Sequence, residues 1–171
     1  MDDLKNYIRN IPDFPKKGIL FRDITTLIGS KEKFKEVIDS LADRYADKKI
    51  DAVLAVESRG FIFGGAMAYK LGTGFVPVRK KGKLPHKTYK ASYSLEYGKD
   101  TLEIHQDAIK PGARVLLIDD LLATGGTLGA VIELVKKLKG EIAEIAFIIE
   151  LKDLKGRSKL KDFPVYSMIQ Y

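Results

Sequence analysis

The segment spanning residues 115–127 limits the folds open to this chain more than any other stretch. Val115–Ile118 is a run of four apolar residues with the length of a short strand. Thr-Gly-Gly-Thr stands at 124–127, and an apolar helix is predicted after it over 128–138, ended by Gly140. A strand that is apolar at every position is typical of a parallel sheet, because such a sheet is covered on both faces. The segment therefore predicts a strand–loop–helix unit of an α/β fold.

Strands and helices are predicted to alternate along the rest of the chain. Apolar residues recur at helical spacing over 31–45, with Ser30 as the N-cap, and a Gly- and Ala-rich helix follows Gly60 as far as about Leu71. Strands are predicted at 52–56, 75–79, 142–151 and 165–169, with a weaker candidate at 102–104. This alternation indicates a central, mostly parallel sheet flanked by helices on both sides. Ligands of such folds bind beyond the carboxyl ends of the strands.

Length and composition set broad limits on function. A chain of 171 residues suits one domain, and the absence of cysteine excludes disulfides and cysteine-based metal sites. We expect a cytoplasmic protein with no membrane association, since neither a spanning segment nor a signal peptide is visible. The 30 Lys and Arg outnumber the 23 Asp and Glu, giving a net charge of +7. That surplus suits nucleic acid or a phosphorylated small molecule, but charge alone fits a lysine-rich surface equally well.

Two carboxylates and a glycine loop follow the strand at 115–118. Asp119 and Asp120 would repel each other in isolation, so ribose hydroxyls or a sugar carbon gaining positive charge would suit them. The backbone N–H groups and hydroxyls at 124–127 stand at a helix N-terminus, where phosphate binds readily. A plain strand–turn–helix is the alternative, but the whole constellation favours a ribose 5-phosphate site. It is not a Walker A loop, because no Gly-Lys-Ser/Thr is present.

The form Asp-Asp-Leu-Leu-Ala-Thr-Gly-Gly-Thr resembles the phosphoribosyl-pyrophosphate signature of the type I phosphoribosyltransferases, in the version found in the adenine branch. The resemblance extends over nearly the full chain in the family's order. It includes the segments 12–15, 21–23, 58–60, 79–85, 91–98 and 150–157.

The resemblance implies one phosphoribosyltransferase domain over 1–171, with an N-terminal hood at about 1–30 and a flexible catalytic flap at about 80–100. It implies transfer of the phosphoribosyl group from 5-phosphoribosyl 1-pyrophosphate to adenine, giving AMP and pyrophosphate. Asp119 and Asp120 would hold the ribose hydroxyls and favour the positive charge that develops at C1′. Mg²⁺ would bridge pyrophosphate and ribose without a direct protein ligand. A homodimer is also implied.

The ribose-phosphate and pyrophosphate groups have separate predicted sites. The phosphate loop, defined as residues 123–127, would hold the 5′-phosphate through Ala123, Thr124, Gly125, Gly126 and Thr127. The resemblance assigns pyrophosphate to Glu57, Ser58, Arg59, Arg79 and Lys83. It also implies a non-proline cis peptide between Glu57 and Ser58, where some relatives have Asp in place of Glu57. Taken alone, Ser58-Arg59-Gly60 would be a Ser-capped helix with a surface arginine.

The base-binding residues are the least determined by the sequence. Glu96 and Tyr97 lie in the flap, and the family pattern Ser-Leu-Glu-Tyr-Gly makes them candidates for catalysis at the base. Related 6-oxopurine enzymes have an aspartate at the position of Ala123 that handles the purine N7 proton, and Glu96 could replace it directly or by ordering the flap. Leu20, Phe21, Arg22 and Leu151 are candidates for the adenine pocket, although core packing explains Leu20 and Leu151 equally well. The roles of His86 and Lys87 stay open.

The sequence also allows three alternatives to this assignment. A basic stretch at 79–90 would also suit nucleic acid, but no binding motif accompanies it. Transfer to another purine is a second alternative, disfavoured by Ala123 and by the Thr-Gly-Gly-Thr loop. The third is a non-catalytic purine-sensing regulator, for which a DNA-binding segment would be expected.

Overall fold

A computed structural model describes residues 2–95 and 98–171 of the chain. These residues form nine strands: β1 (Arg9–Pro12), β2 (Leu20–Asp23), β3 (Ala52–Val56), β4 (Gly74–Lys80), β5 (Thr88–Leu95), β6 (Gly98–His105), β7 (Arg114–Leu122), β8 (Glu141–Glu150) and β9 (Val165–Gln170). The α-helices are α1 (Thr25–Ile28), α2 (Lys31–Tyr45), α3 (Arg59–Leu71) and α4 (Gly126–Lys137). Short 3-10 helices cover Asp2–Tyr7, Lys152–Leu154 and Gly156–Leu160.

Seven of the strands form one sheet in the order β5-β6-β4-β3-β7-β8-β9. The strands from β4 to β9 in that order are parallel, and β7 lies between β3 and β8, with Ile118 opposite both Ala55 and Ala146. The hairpin β5–β6 extends the sheet at one edge through an antiparallel contact of β6 with β4. The predicted mostly parallel α/β sheet is therefore confirmed.

Helices cover both faces of this sheet. On one face α2 and α3 pack over the strands, and on the other face α4 packs beside the hairpin. The glycines of α3 permit close approach, because a Cβ at Gly64 would lie 2.6 Å from the Cβ of Ala55. The helix α2 has the predicted bounds, and Ser30 caps it by accepting the Lys33 N–H at 3.4 Å. No helix in the described ranges is long and apolar enough to cross a membrane.

The N-terminal segment forms a separate layer at one end of the sheet. Strands β1 and β2 pair only with each other, and they precede α1. The Arg22 guanidinium lies 3.8 Å from the centre of the Tyr171 ring, and the Tyr171 N–H donates to the Glu150 carbonyl at 2.9 Å. These contacts hold the β1–β2 layer beside the carboxyl end of β8.

Strand β5 was not predicted from the sequence, which had assigned its residues to a flap without a strand. The side chains of Tyr89, Ala91 and Tyr93 alternate with polar ones and pack toward α4, with Ala91 fully buried. This period of two indicates a half-buried strand. Only one of the three inward residues is aliphatic, which is why the pattern is weak. The helix α4 also begins at Gly126, earlier than the predicted Leu128.

Candidate active site

The carboxyl ends of β3, β4 and β7 open into one cavity of about 530 Å³. Its position agrees with the rule that ligands of parallel sheets bind at the carboxyl ends of strands. The wall is formed by Val56, Glu57, Ser58, Arg59, Lys80, Lys83, Tyr93, Leu102, Asp119, Asp120, Leu121 and Thr127. Charged groups of both signs therefore meet in a single space.

Asp119 and Asp120 lie in the last part of β7, which continues past them to Leu122. Asp120 is buried and accepts a hydrogen bond from the Arg59 Nε, whereas Asp119 is half-buried and accepts the Asp120 N–H at 2.9 Å. Burial and the neighbouring Asp120 carboxylate raise the pKa of Asp119 well above its ordinary value. A Cβ at Gly60 would lie 2.8 Å from Asp119 Oδ1, so the start of α3 packs directly against this carboxylate. The pair suits a ligand that offers hydroxyls or positive charge.

The phosphate loop connects β7 to the N-terminus of α4. Gly125 caps the helix with a φ of +73°, a conformation in which a side chain is strained. A Cβ there would also lie 2.7 Å from the Gly156 carbonyl oxygen. A second, small pocket of about 80 Å³ is lined by this loop together with Asp119, Leu121, Leu122 and Leu128. Its size and its place at a helix N-terminus suit one phosphate group.

Glu57 and Ser58 form the turn between β3 and α3, and the peptide bond between them is cis, as the sequence led us to expect. The Arg79 guanidinium donates to Glu57 Oε2 from Nε at 3.1 Å and from a terminal nitrogen at 2.9 Å. The Lys80 N–H donates to Glu57 Oε1 at 2.6 Å. Burial opposes the charge on Glu57, but these hydrogen bonds outweigh it and lower the pKa of the carboxyl.

Four residues, Lys80–Lys83, form what we name the basic turn. The Lys83 N–H donates to the Lys80 carbonyl at 3.2 Å, and Arg79 donates to the Lys83 carbonyl at 3.2 Å. Lys80 and Lys83 line the cavity, and Lys80 Nζ also lies 3.3 Å from a carboxylate oxygen of Asp100. The turn therefore brings two lysines to the cavity wall.

Known proteins with a similar sequence and structure agree with this geometry. The chain matches the phosphoribosyl transferase domain family over residues 25–170. It is 59% identical to an adenine phosphoribosyltransferase of Chloroflexus aurantiacus over 169 residues, which is 99% of this chain and 98% of the relative. The chain belongs to the adenine phosphoribosyltransferase family.

Solved structures of the adenine phosphoribosyltransferase family superpose closely. The crystal structure from Thermoanaerobacter pseudethanolicus is 50% identical, with a TM-score of 0.95 and coverage of 99% of each chain. The Saccharomyces cerevisiae structure, complexed with an imino-altritol bisphosphate and adenine, is 44% identical, with a TM-score of 0.92 and coverage of 98% of this chain and 97% of that one. The type I phosphoribosyltransferase fold expected from the sequence is therefore confirmed.

Most residues predicted for the adenine phosphoribosyltransferase chemistry meet in the two adjoining pockets. The larger cavity collects Glu57, Ser58, Arg59, Lys83, Asp119, Asp120 and Thr127, and the smaller one collects Ala123, Thr124, Gly125 and Gly126. Arg79 is outside the wall of both, because its guanidinium is engaged by Glu57 and by the Lys83 carbonyl. Arg79 therefore contacts two residues of the cavity wall, and its predicted contact with pyrophosphate remains a prediction.

The predicted base-binding residues lie apart from these pockets. Leu20 is exposed, Phe21 packs edge-on against Phe14 at 5.1 Å, and Arg22 stacks on Tyr171. Leu151 donates its N–H to the Leu122 carbonyl at 2.9 Å. None of these residues is on the wall of either pocket as described. Glu96 and Tyr97 lie outside the described residues, so all six assignments remain predictions.

Lys80, Tyr93 and Gly156 are among the residues of the adenine phosphoribosyltransferase site that were not predicted from the sequence. Lys80 and Tyr93 line the larger cavity, and the signal for both was their place in the basic, tyrosine-containing stretch that follows β4. The third is Gly156, where a Cβ would overlap the Ala123 carbonyl oxygen. This glycine lies in a segment held by Arg157, whose guanidinium donates to Glu150 and to the Val165 carbonyl. Only the tertiary fold brings it to the phosphate loop.

Proposed function

We propose that this chain transfers the 5-phosphoribosyl group from 5-phosphoribosyl 1-pyrophosphate to adenine, giving AMP and pyrophosphate. The observation that carries the proposal is the juxtaposition of the Asp119–Asp120 pair with the phosphate loop on one side and basic side chains on the other. A substrate that carries phosphate, ribose hydroxyls and pyrophosphate in that order matches these three surfaces. The yeast relative, whose solved complex includes adenine, supports the choice of base.

The proposed roles follow from the placement of each group. The N–H groups at the start of α4, with Thr124 and Thr127, bind the 5′-phosphate. Asp119 and Asp120 hold the ribose hydroxyls and stabilise the positive charge that develops at C1′ as its bond to pyrophosphate breaks. Arg59 and Lys83 stabilise the departing pyrophosphate, and N9 of adenine forms the new bond to C1′. Glu57 and Ser58, in the turn between β3 and α3, contribute to the binding of pyrophosphate.

The base assignment rests on Ala123 and on the resemblance to the adenine branch. We propose that Leu20, Phe21 and Arg22 of β2, together with Leu151 after β8, form the adenine pocket. Glu96 is proposed to handle a proton of the base, directly or by ordering the flap, with Tyr97 beside it. Turnover by Glu96→Gln at the wild-type rate would exclude that role.

Mg²⁺ is proposed as the cofactor, carried by the substrate. Asp119 and Asp120 lie side by side on the cavity wall, and Asp120 is paired with Arg59, so a cation-bearing ligand fits beside the two carboxylates. Within the described ranges no cluster of three or more His, Asp or Glu side chains could hold a metal. Mg²⁺ bound by the pyrophosphate and ribose would neutralise the charge of the leaving group.

The decisive experiment mixes the protein with phosphoribosyl pyrophosphate, Mg²⁺ and one of adenine, hypoxanthine, guanine or xanthine, and separates the nucleotides formed. We expect AMP and pyrophosphate from adenine and little product from the other bases. Formation of another nucleotide instead would move the assignment to a different purine. Binding of phosphoribosyl pyrophosphate without any product would indicate a purine-sensing regulator.

We also propose that the enzyme works as a homodimer. On α3, Ile62 and Tyr69 are one heptad apart, and both side chains are exposed. Apolar side chains exposed in one stripe are typical of a surface that another subunit covers. Sedimentation equilibrium should give twice the chain mass, and Ile62→Glu should reduce it toward one chain. The cytoplasmic location and the absence of a nucleic-acid partner remain predictions.

A further inference from the structure

A buried carboxylate that the proposed reaction does not use lies behind the basic turn. Glu103, on β6, is only 3% exposed. Its Oε2 accepts the Gly82 N–H at 3.1 Å, and its Oε1 lies 3.2 Å from Lys90 Nζ. Burial of a charge is costly unless the charge is paired and hydrogen-bonded. Both of its partners are at the edge of the sheet where the turn leaves β4.

The Gly82 N–H belongs to the peptide group that defines the shape of the turn. Gly82 has a φ of +80°, and it is the third residue of a four-residue turn closed by the Lys83 N–H to the Lys80 carbonyl. A positive φ at this position is the mark of a type II turn, which differs from type I by rotation of the central peptide group. That group carries the Gly82 N–H. A fixed acceptor for this N–H therefore selects one of the two turn shapes.

We propose that Glu103 is a positioning residue that locks the central peptide group of the basic turn, so that Lys80 and Lys83 both face the pyrophosphate part of the substrate. The inference rests on the proposed function. Arg79 holds the far end of the turn through the Lys83 carbonyl, and the Lys81 N–H donates to the Thr101 carbonyl at 3.1 Å. Glu103 is the buried charged member of this set. Loss of its acceptor leaves the Gly82 N–H without a partner and frees the peptide to rotate.

Glu144 offers a matched control. It is also buried, at 4% exposed, and also ion-paired, with Arg44 at 2.7 Å and Lys48 at 3.0 Å. It lies on β8 opposite Leu116, near the start of β7 and therefore at the end of the sheet remote from the cavity. A substitution of Glu144 thus reproduces the disturbance of a buried carboxylate without touching the basic turn.

The test compares Glu103→Met, Glu103→Leu, Glu103→Gln and Glu144→Gln by steady-state kinetics and thermal unfolding. Met and Leu remove the acceptor, so we expect kcat/KM for phosphoribosyl pyrophosphate to fall about 10- to 100-fold while the KM for adenine stays within about twofold. Gln keeps an oxygen that can accept the Gly82 N–H and should recover most of the loss. Glu144→Gln should lower Tm but leave both kinetic constants at the wild-type level.

Two results would overturn the inference. One is a loss of kcat/KM in Glu103→Met and Glu103→Leu no larger than in Glu144→Gln, and the other is an equal rise in both KM values. The use of both Met and Leu keeps the test open if one of them does not fold. Calorimetric titration with Mg²⁺ and pyrophosphate separates this inference from the proposed function. If the wild type binds pyrophosphate but does not convert adenine, the proposed function is wrong. In that case, an affinity of Glu103→Met for pyrophosphate about tenfold weaker than that of the wild type still supports the positioning role of Glu103.

Discussion

The two anion-binding sides of the cavity are built in different ways. The phosphate loop follows β7, which has a parallel neighbour on each side, and its shape comes from close contact between backbones at Gly125 and Gly156. The basic turn lies where the sheet changes from parallel to antiparallel pairing. Its shape comes from side chains, those of Arg79 and Glu103. One side is therefore fixed by packing, and the other can be altered through single buried side chains.

The largest loss of activity is expected at Asp120, which lines the cavity and contacts Arg59 on the pyrophosphate side. Asp120→Asn removes a charge that stabilises the developing positive charge at C1′, and it also weakens the contact with Arg59 on the pyrophosphate side. We expect kcat to fall by about 10²- to 10³-fold, as is usual when a preorganised electrostatic group is lost. Initial rates of AMP formation measure this. Asp39→Asn, at a carboxylate on α2 paired with Lys70, is the control, and a similar loss there would contradict the prediction.

A glycine substitution tests the packed side. Gly125→Ala combines a strained φ of +73° with overlap against the Gly156 carbonyl oxygen, so kcat/KM for phosphoribosyl pyrophosphate should fall about 10- to 100-fold. Gly72→Ala is the matched control, because its φ is +67° but its surroundings are open. It should lose stability by about 1–2 kcal/mol and keep wild-type kinetics. Kinetics of Gly125→Ala within twofold of the wild type would show that the loop is more adaptable than the contact indicates.

A glycine-to-alanine substitution in the basic turn should reduce activity less than one in the phosphate loop. Gly82→Ala meets the strain of a φ of +80° but no atom within 4 Å of the added Cβ. The strain of about 1–2 kcal/mol favours rotation of the turn, but the hydrogen bond to Glu103 opposes that rotation, so we expect a loss of about three- to tenfold in kcat/KM for phosphoribosyl pyrophosphate. Measured beside Gly125→Ala, it sharpens the contrast between the two sides. A larger loss in Gly82→Ala than in Gly125→Ala would reverse the contrast.

The smallest expected effect is on stability, with opposite signs on the two sides. The pKa of Asp119 is raised from 3.8 by burial and by Asp120, so its ionisation costs folding free energy as pH rises through and above that value. Asp119→Asn should therefore have a higher Tm than the wild type at neutral pH, with the difference shrinking as pH falls. This gain in stability should accompany a loss of activity.

Glu57 should behave in the opposite way. Its pKa is lowered from 4.5, because hydrogen bonds from Lys80 and Arg79 outweigh the effect of burial, so its carboxylate stabilises the fold above that pH and loses this effect as pH falls through its folded pKa. Glu57→Gln should have a lower Tm at neutral pH, with the difference shrinking in acid. Thermal unfolding of both variants from about pH 3 to about pH 8, a range that includes the acid region in which Glu57 titrates, measures the two slopes. Slopes of the same sign would refute the assignment.

The side built on β7 could be predicted from the sequence because its parts are contiguous. Strand, carboxylates, glycine loop and helix follow one another from Val115 to Lys137, so local patterns define them without knowledge of the fold. The parallel sheet and the cis peptide after β3 were predictable for similar reasons, the first from alternation and the second from resemblance.

The other side depends on contacts between distant residues. Arg79 pairs with Glu57, which lies 22 positions earlier, and no local pattern indicates that pairing. Glu103 appeared only as the middle residue of a weak strand candidate, and its burial depends on the hairpin that β5 completes. Gly156 is separated from Ala123 by the whole of α4 and β8. Local spacing cannot indicate which of many lysines and glutamates will meet.

The contact between Gly156 and the phosphate loop has a practical meaning for redesign of the enzyme. The chain from Leu151 to Gly156 leaves the strand nearest to the proposed base pocket and then touches the Ala123 carbonyl directly. An insertion or deletion in that stretch, made to admit a bulkier base, would also displace the phosphate loop. The specificity for the base is therefore better changed by exchanging side chains without altering the length of the backbone, and Gly156 should be retained.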